Sequence, residues 1–190
     1  TMSIQTPYNT DDLARWLAST STRGLPVTVS LSTLDLSEWR WPSADRATPA
    51  LSRVLSLNLS RCKLSLVPDA LRSCTLLHRL ELQCNPITEL PPWLSPANDL
   101  PQLSYLDLSS TSIKTLPVTF SQLTALRAAG CERLAAHYKT HADSADEHQL
   151  IRYLRECAKG DMMPLSGVNA TFVGPVNVGK SIILECMTGP

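Results

Sequence analysis

Four phrases of this chain close on proline after the same run of leucines, and that recurrence limits its fold more than any other feature. They read LSTLDLSEWRWP to Pro42, VLSLNLSRCKLSLVP to Pro68, LHRLELQCNPITELP to Pro91 and LSYLDLSSTSIKTLP to Pro117. Aligned, they give L-x-x-L-x-L-x-x-(N/C)-x-L. The expected strand pairs are Leu34 and Leu36, Leu57 and Leu59, Leu80 and Leu82, and Leu106 and Leu108, with a weaker fifth copy at Ala129 and Cys131. These copies lie 23, 23, 26 and 23 residues apart. Two leucines spaced by one residue share a face of a short strand, because strand side chains alternate. After each strand the chain turns and returns, contributing Leu71, Leu94 and Phe120 to the interior. Cys62, Asn85 and Thr111 follow the strands at a bend where the backbone lacks ladder partners.

A single 23-residue unit buries too little to stand alone, so units must stack and the ends must be covered. Thr10 is expected to cap a helix running to Ser19, with Leu13, Trp16 and Leu17 on one apolar face and Asp11 and Asp12 near its positive end. Trp39 and Trp41 add cover over the first unit. At the other end Leu150, Ile151, Leu154, Cys157 and Ala158 form a stripe on a helix expected from Ser144 to Lys159, stopped by Gly160.

The pattern resembles leucine-rich repeats. That resemblance implies an α/β solenoid, curved, with short parallel strands on its concave face. The expected organisation is a cap helix over 1–26, about five repeats over 27–135, a connector with an amphipathic helix over 136–169, and a different kind of unit over 170–190.

In such an array the residues between the leucines meet solvent and partners. Asp35, Asn58, Glu81 and Asp107 are expected in one register, flanked by Ser37, Ser60, Arg79, Gln83, Tyr105, Ser109 and Glu132. One guanidinium against four carboxylates makes this strip mildly acidic, which suits a basic protein or peptide partner.

Residues 174–181 read GPVNVGKS, a full match to G-x-x-x-x-G-K-[ST], which a chain of this length meets by chance about once in a hundred. The apolar run Ala170–Val173 before it and Ser181–Glu185 after it give the strand–loop–helix order the motif needs. Gly174, Asn177, Val178 and Gly179 would bring backbone N–H groups around phosphate oxygens at a helix start. Lys180 would reach the β and γ phosphates, and the Ser181 hydroxyl would bind Mg²⁺. Only the first strand, loop and helix start of such a domain are expected here, truncated at Pro190, so this chain itself should not hydrolyse nucleotide. Hydrophobic residues over 170–187 would then lie on the last repeat or pair with a second copy, as a homodimer through the tail.

Repeats, a linking helix reading LIRYLREC and then a P-loop resemble the Roco family, in which leucine-rich repeats precede a Ras-like GTPase domain called Roc. That resemblance implies GTP and Mg²⁺ at Gly174, Gly179, Lys180 and Ser181, and a scaffold that signals or regulates assembly. The loop interior PVNV is bulkier than is usual there. The alternatives are a stand-alone repeat protein with a coincidental match, and an ATP-dependent regulator. His137 and His141, at i and i+4, have zinc-ligand spacing without a persuasive third ligand; they read as a polar connector.

Composition narrows the rest. Seventeen basic residues balance seventeen acidic ones, which leaves no electrostatic footprint for nucleic acid. No apolar run approaches a bilayer span, and no secretory signal stands ahead of the first folded segment. Thr1 ahead of Met2 reads as an appended residue. The six cysteines form no C-x-x-C pair or disulfide framework, so they read as thiols of a cytoplasmic protein.

Overall fold

The computed structural model describes residues 3–5, 7, 9–18, 27–42, 49–144, 146 and 148–159. Their strands form one parallel sheet in chain order: β1 (Ser3–Gln5), β2 (Val27–Ser30), β3 (Val54–Asn58), β4 (Arg79–Glu81), β5 (Tyr105–Asp107) and β6 (Ala125–Arg127). Helix α1 spans Thr10–Leu17, α2 Ala136–Ala142 and α3 Gln149–Ala158. Short 3₁₀ turns at Asp69–Ser73 and Val118–Gln122 carry the return path of their coils.

Leu57, Leu80, Leu106 and Leu126 stand side by side in the ladder, each buried, as the repeat period requires. Leu59, Leu82, Leu108 and Ala128 follow two residues on and are buried as well. The two end copies sit in a different register from the one expected. Val29, not Leu34, pairs with Leu57, and Leu126, not Ala129, pairs with Leu106. Burial in alternation decides this. Val27 and Val29 of β2 are buried between half-exposed Thr28 and Ser30, and β-branched residues suit a strand. Leu34 falls instead at the bend, three residues past buried Leu31, where Asn85 stands relative to Leu82. The first coil is therefore longer than the 23-residue period and the last is shorter.

Asn85, 2% exposed, organises its bend. Its Oδ1 accepts from the amides of Cys62 (2.9 Å) and Leu64 (3.0 Å), while its Nδ2 donates to the carbonyls of Leu59 and Leu82, both at 2.8 Å. Thr111 donates to the Leu108 carbonyl at 2.7 Å. Cys62 bonds too, its thiol donating to the Leu31 carbonyl at 3.0 Å, and burial pushes that thiol up to about 11. Just before each of these three positions, and before Leu34 and Cys131 at the end bends, one residue takes a left-handed conformation: Thr33, Arg61, Cys84, Ser110 and Gly130, with φ between 55° and 69°. Its amide reaches the next coil: Thr33 to Ser60, Arg61 to Gln83, Cys84 to Ser109 and Ser110 to Ala129, at 2.8–3.0 Å. One tight corner is thus stacked five times, and only the last copy is glycine, the residue that adopts it without strain.

Both ends are covered. Asn9, rather than Thr10, caps α1, its Oδ1 accepting from the Asp12 amide at 2.8 Å. Leu13 and Leu17 are buried, and Trp16, Trp39 and Trp41 pack against the core from its edge. The C-terminal lid is two helices instead of the single one expected from Ser144. Leu150, Ile151 and Leu154 of α3 are buried as the stripe requires, whereas Ala158 is exposed. Arg155 donates to the carbonyls of Ser121 and Leu123, tying α3 to the last return path. Asp143 accepts the Gly130 amide at 3.0 Å, doing with a side chain what the next coil's carbonyl does for the four corners before it. Among the described residues no helix is long and apolar enough to cross a membrane.

Candidate functional site

Strand pairing arranges the outward residues into rows. One row runs Thr28, Ser56, Arg79, Tyr105, Ala125; the next runs Ser30, Asn58, Glu81, Asp107, Arg127. Asn58, Glu81 and Asp107 share a register as expected, and Arg79 and Tyr105 share the neighbouring one. Gln83 and Ser109, both half-buried, lie just beyond the strand ends.

The centre of this face is pre-arranged. The Arg79 guanidinium lies 3.6 Å from the Tyr105 ring centroid, a cation–π contact, and its Nε donates to Glu81 Oε1 at 2.7 Å. The Tyr105 hydroxyl donates to Asp107 Oδ2 at 3.5 Å, and Asp107 Oδ1 accepts the Ser109 amide at 2.9 Å. Asn58 Oδ1 accepts the Ser60 amide in the same way. Side chains held in these positions lose little further freedom when a partner binds.

Asp35 does not belong to this face, which corrects the expected strip. It is exposed beyond the first bend, where it accepts from Ser37 Oγ (2.6 Å) and from Lys63 Nζ (2.6 Å). The Lys63 ammonium, with Ser37, holds its carboxyl down at about 2. It lines a groove of about 380 Å³ with Thr10, Ser37, Glu38 and Trp39. Glu132 likewise follows the last bend, outside the strand rows. The residue missed was Arg127, which takes the end of the Asn58–Glu81–Asp107 row. Two guanidiniums, Arg79 and Arg127, now meet two carboxylates, Glu81 and Asp107, so the acidic character expected of the strip is absent. Arg127 was readable only with the fifth copy in its true register.

Beside β6 the face ends in a cleft of about 270 Å³ lined by Ser109, Arg127 and Ala129 on one side and by His141, Ser144, Asp146 and Leu150 on the other. Among the described residues no cluster of three metal-ligating side chains occurs, so His137 and His141 have no third partner. The phosphate-loop residues Gly174, Asn177, Val178, Gly179, Lys180 and Ser181 lie outside the described residues.

Coils of this length, with a leucine ladder and a polar bend, define an α/β repeat solenoid. Residues 53–74 match the family model described as Leucine Rich Repeat, and residues 75–128 match a second one, described as Leucine rich repeat. The segment from 53 to 128 is thus a run of leucine-rich repeats, a protein-interaction scaffold, and β2 and β6 extend the same sheet on either side. No curated protein matches the chain.

Proposed function

We propose that this chain binds a protein partner on its outward strand face and serves as the interaction arm of a GTP-binding Roco-type protein. The observation that carries the first half is the Arg79–Tyr105–Glu81–Asp107 group, an aromatic ring and a guanidinium held in place on an otherwise polar face. Tyr and Arg are the side chains most often responsible for binding energy at interfaces. Because the face is balanced in charge, recognition rests on stacking and hydrogen bonding, and a net basic partner has no advantage. Free thiols at Cys62, Cys74, Cys84, Cys131 and Cys157 support a reducing, cytoplasmic setting.

Affinity capture with the 190-residue chain, repeated with Tyr105→Ala and Arg79→Ala, tests the first half. Proteins retained by the parent and lost from both variants are the expected result, with affinity changing little between low and physiological salt. Retention unaltered by either variant rules this face out.

The second half rests on the GPVNVGKS motif for nucleotide and on the Roco resemblance for guanine, with Lys180 and Ser181 as the phosphate and Mg²⁺ ligands. Calorimetry of the complete gene product with GTP and Mg²⁺ should give binding that Lys180→Ala removes. Binding that prefers ATP, or that survives Lys180→Ala, refutes it; no binding at all marks the motif as a chance match.

A further inference from the structure

The two lid helices are joined by a cluster of four rings. His137 lies beside Tyr138 with centroids 4.0 Å apart, and His141, one turn further along α2, stacks on Tyr153 of α3 at 4.3 Å with planes 19° apart. Tyr138 meets Tyr153 edge-on at 6.0 Å and donates its hydroxyl to the Leu116 carbonyl at 3.2 Å.

Each histidine hides one ring nitrogen. His137 Nε2 and His141 Nδ1 are buried and have no hydrogen-bond partner among the described residues. A neutral imidazole presents one N–H and one bare acceptor, whereas an imidazolium presents two donors. A buried neutral acceptor left unpaired already costs free energy, and a charged donor left unpaired costs more. An N–H on a cation at the same place would be buried without an acceptor, which is costly.

Among the described residues, the nearby carboxylates Asp143 and Asp146 are already engaged by other groups. From α2 the two histidines face each other and Tyr138. From α3 they face Tyr153, which has Cys157 beside it. Across the cleft stand Arg127 of β6, a cation, and Asp146 of the connecting loop. The Asp146 carboxylate is already bound to Arg152 and accepts the His148 amide at 3.0 Å, with the His148 ring 3.9 Å away. Asp143 is engaged by the Gly130 amide, and the 118–122 turn that α3 covers contains no charged residue. Burial accordingly holds both imidazoles below their ordinary value, with His141 adding to the effect on His137.

We propose that α2 and α3 form a pH-sensitive lid on the last coil, in which protonation of His137 and His141 breaks the ring cluster and frees α3 from the 118–122 turn. Release uncovers Phe120 and Leu126, both buried while the lid is shut. The sign follows from linkage: the open lid takes up protons near the ordinary imidazole value of about 6.5 and the closed lid only at lower pH. Closure is therefore at full strength above about pH 6.5 and weakens as pH falls from there through the lowered values.

Hydrogen exchange of the whole chain between about pH 7.5 and about pH 5, corrected for intrinsic exchange rates, tests this. The opening population read at Ile151–Leu154 should rise by up to about tenfold per pH unit per histidine. Amides of β3 to β5 should keep their protection. His137→Phe with His141→Phe retains aromatic rings that cannot take a proton, and should abolish the rise. Flat protection of α3, a loss shared by β3 to β5, or a rise that persists in the double variant overturns the proposal. If that variant does not fold, NMR titration of the two imidazoles in the parent chain decides: values below the ordinary one support the lid, and values at or above it overturn it.

Discussion

The third and fifth coils meet the same corner after their strands and satisfy it differently. In the third, the Asn85 amide alone holds two N–H groups and two carbonyls, reaching across to the coil before it. In the fifth, Cys131 stands in that place and its thiol donates to the Leu108 carbonyl at 3.1 Å, with Thr111 Oγ1 3.4 Å away. The corner amide that would reach a sixth coil goes to Asp143 instead. The corner amide of an inner coil is completed by its neighbour's backbone, and that of the last coil by a side chain. Inner coils should therefore lose most from a core truncation or from loss of the bend amide. The end coil should be most sensitive to the backbone freedom of its own corner.

The largest effect belongs to the inner leucine ladder. Leu80→Ala should cost about 2–5 kcal/mol in a denaturant titration, because Leu80 is wholly buried between neighbouring coils that cannot collapse onto the space. Ser109→Ala, on the outward face, should stay within about 0.5 kcal/mol. Equal losses would mean that the two faces have been exchanged.

The bend residues come next. Asn85→Ala leaves the Cys62 and Leu64 amides without an acceptor in the interior, at about 2–4 kcal/mol for two buried donors. Thr111→Ala removes one donor to one carbonyl and should cost about 1 kcal/mol. A Thr111 loss as large as that of Asn85 would end the distinction between a bend held by one amide and a bend held by its neighbours.

The smallest effects test the corner itself, and their signs should differ. Gly130→Ala places a Cβ 3.1 Å from Ser110 Oγ on a residue with φ of 68°, and should destabilise by about 1–2 kcal/mol. Cys84→Gly puts glycine at the same corner of the third coil, where φ is 58°, and should be neutral or stabilising by up to about 1 kcal/mol. Thermal melts of the pair check this, and a destabilised Cys84→Gly would show that the left-handed corner carries little strain in the stack.

The three inner strands were legible because Leu57, Leu80 and Leu106 combine two periods at once, alternation within the strand and recurrence between coils. The end coils were not. Leu34 and Leu36 imitate the L-x-L pair but belong to a bend, and the true strand, VTVS, has no leucine to announce it. Six strands rather than five follow from β1, a three-residue element found only through its pairing with β2. The candidate face was legible wherever the register was: Asn58, Arg79, Glu81, Tyr105 and Asp107 stand where their spacing puts them. Asp35 was misplaced and Arg127 missed because a shift within a coil moves a residue from strand to corner.

By itself, the sequence determined the repeat, the buried leucine ladder, the polar bend at Cys62, Asn85 and Thr111, and the need for a lid at each end. Those properties are set by side-chain period and by the burial that one coil requires, both local to the chain. Tertiary structure alone decided the ring cluster of His137, His141, Tyr138 and Tyr153, the use of Asp143 as a substitute for a missing coil, and the charge balance of the strand face. Each depends on which groups two distant segments bring within hydrogen-bond or ring contact, and no spacing along the chain carries that distance.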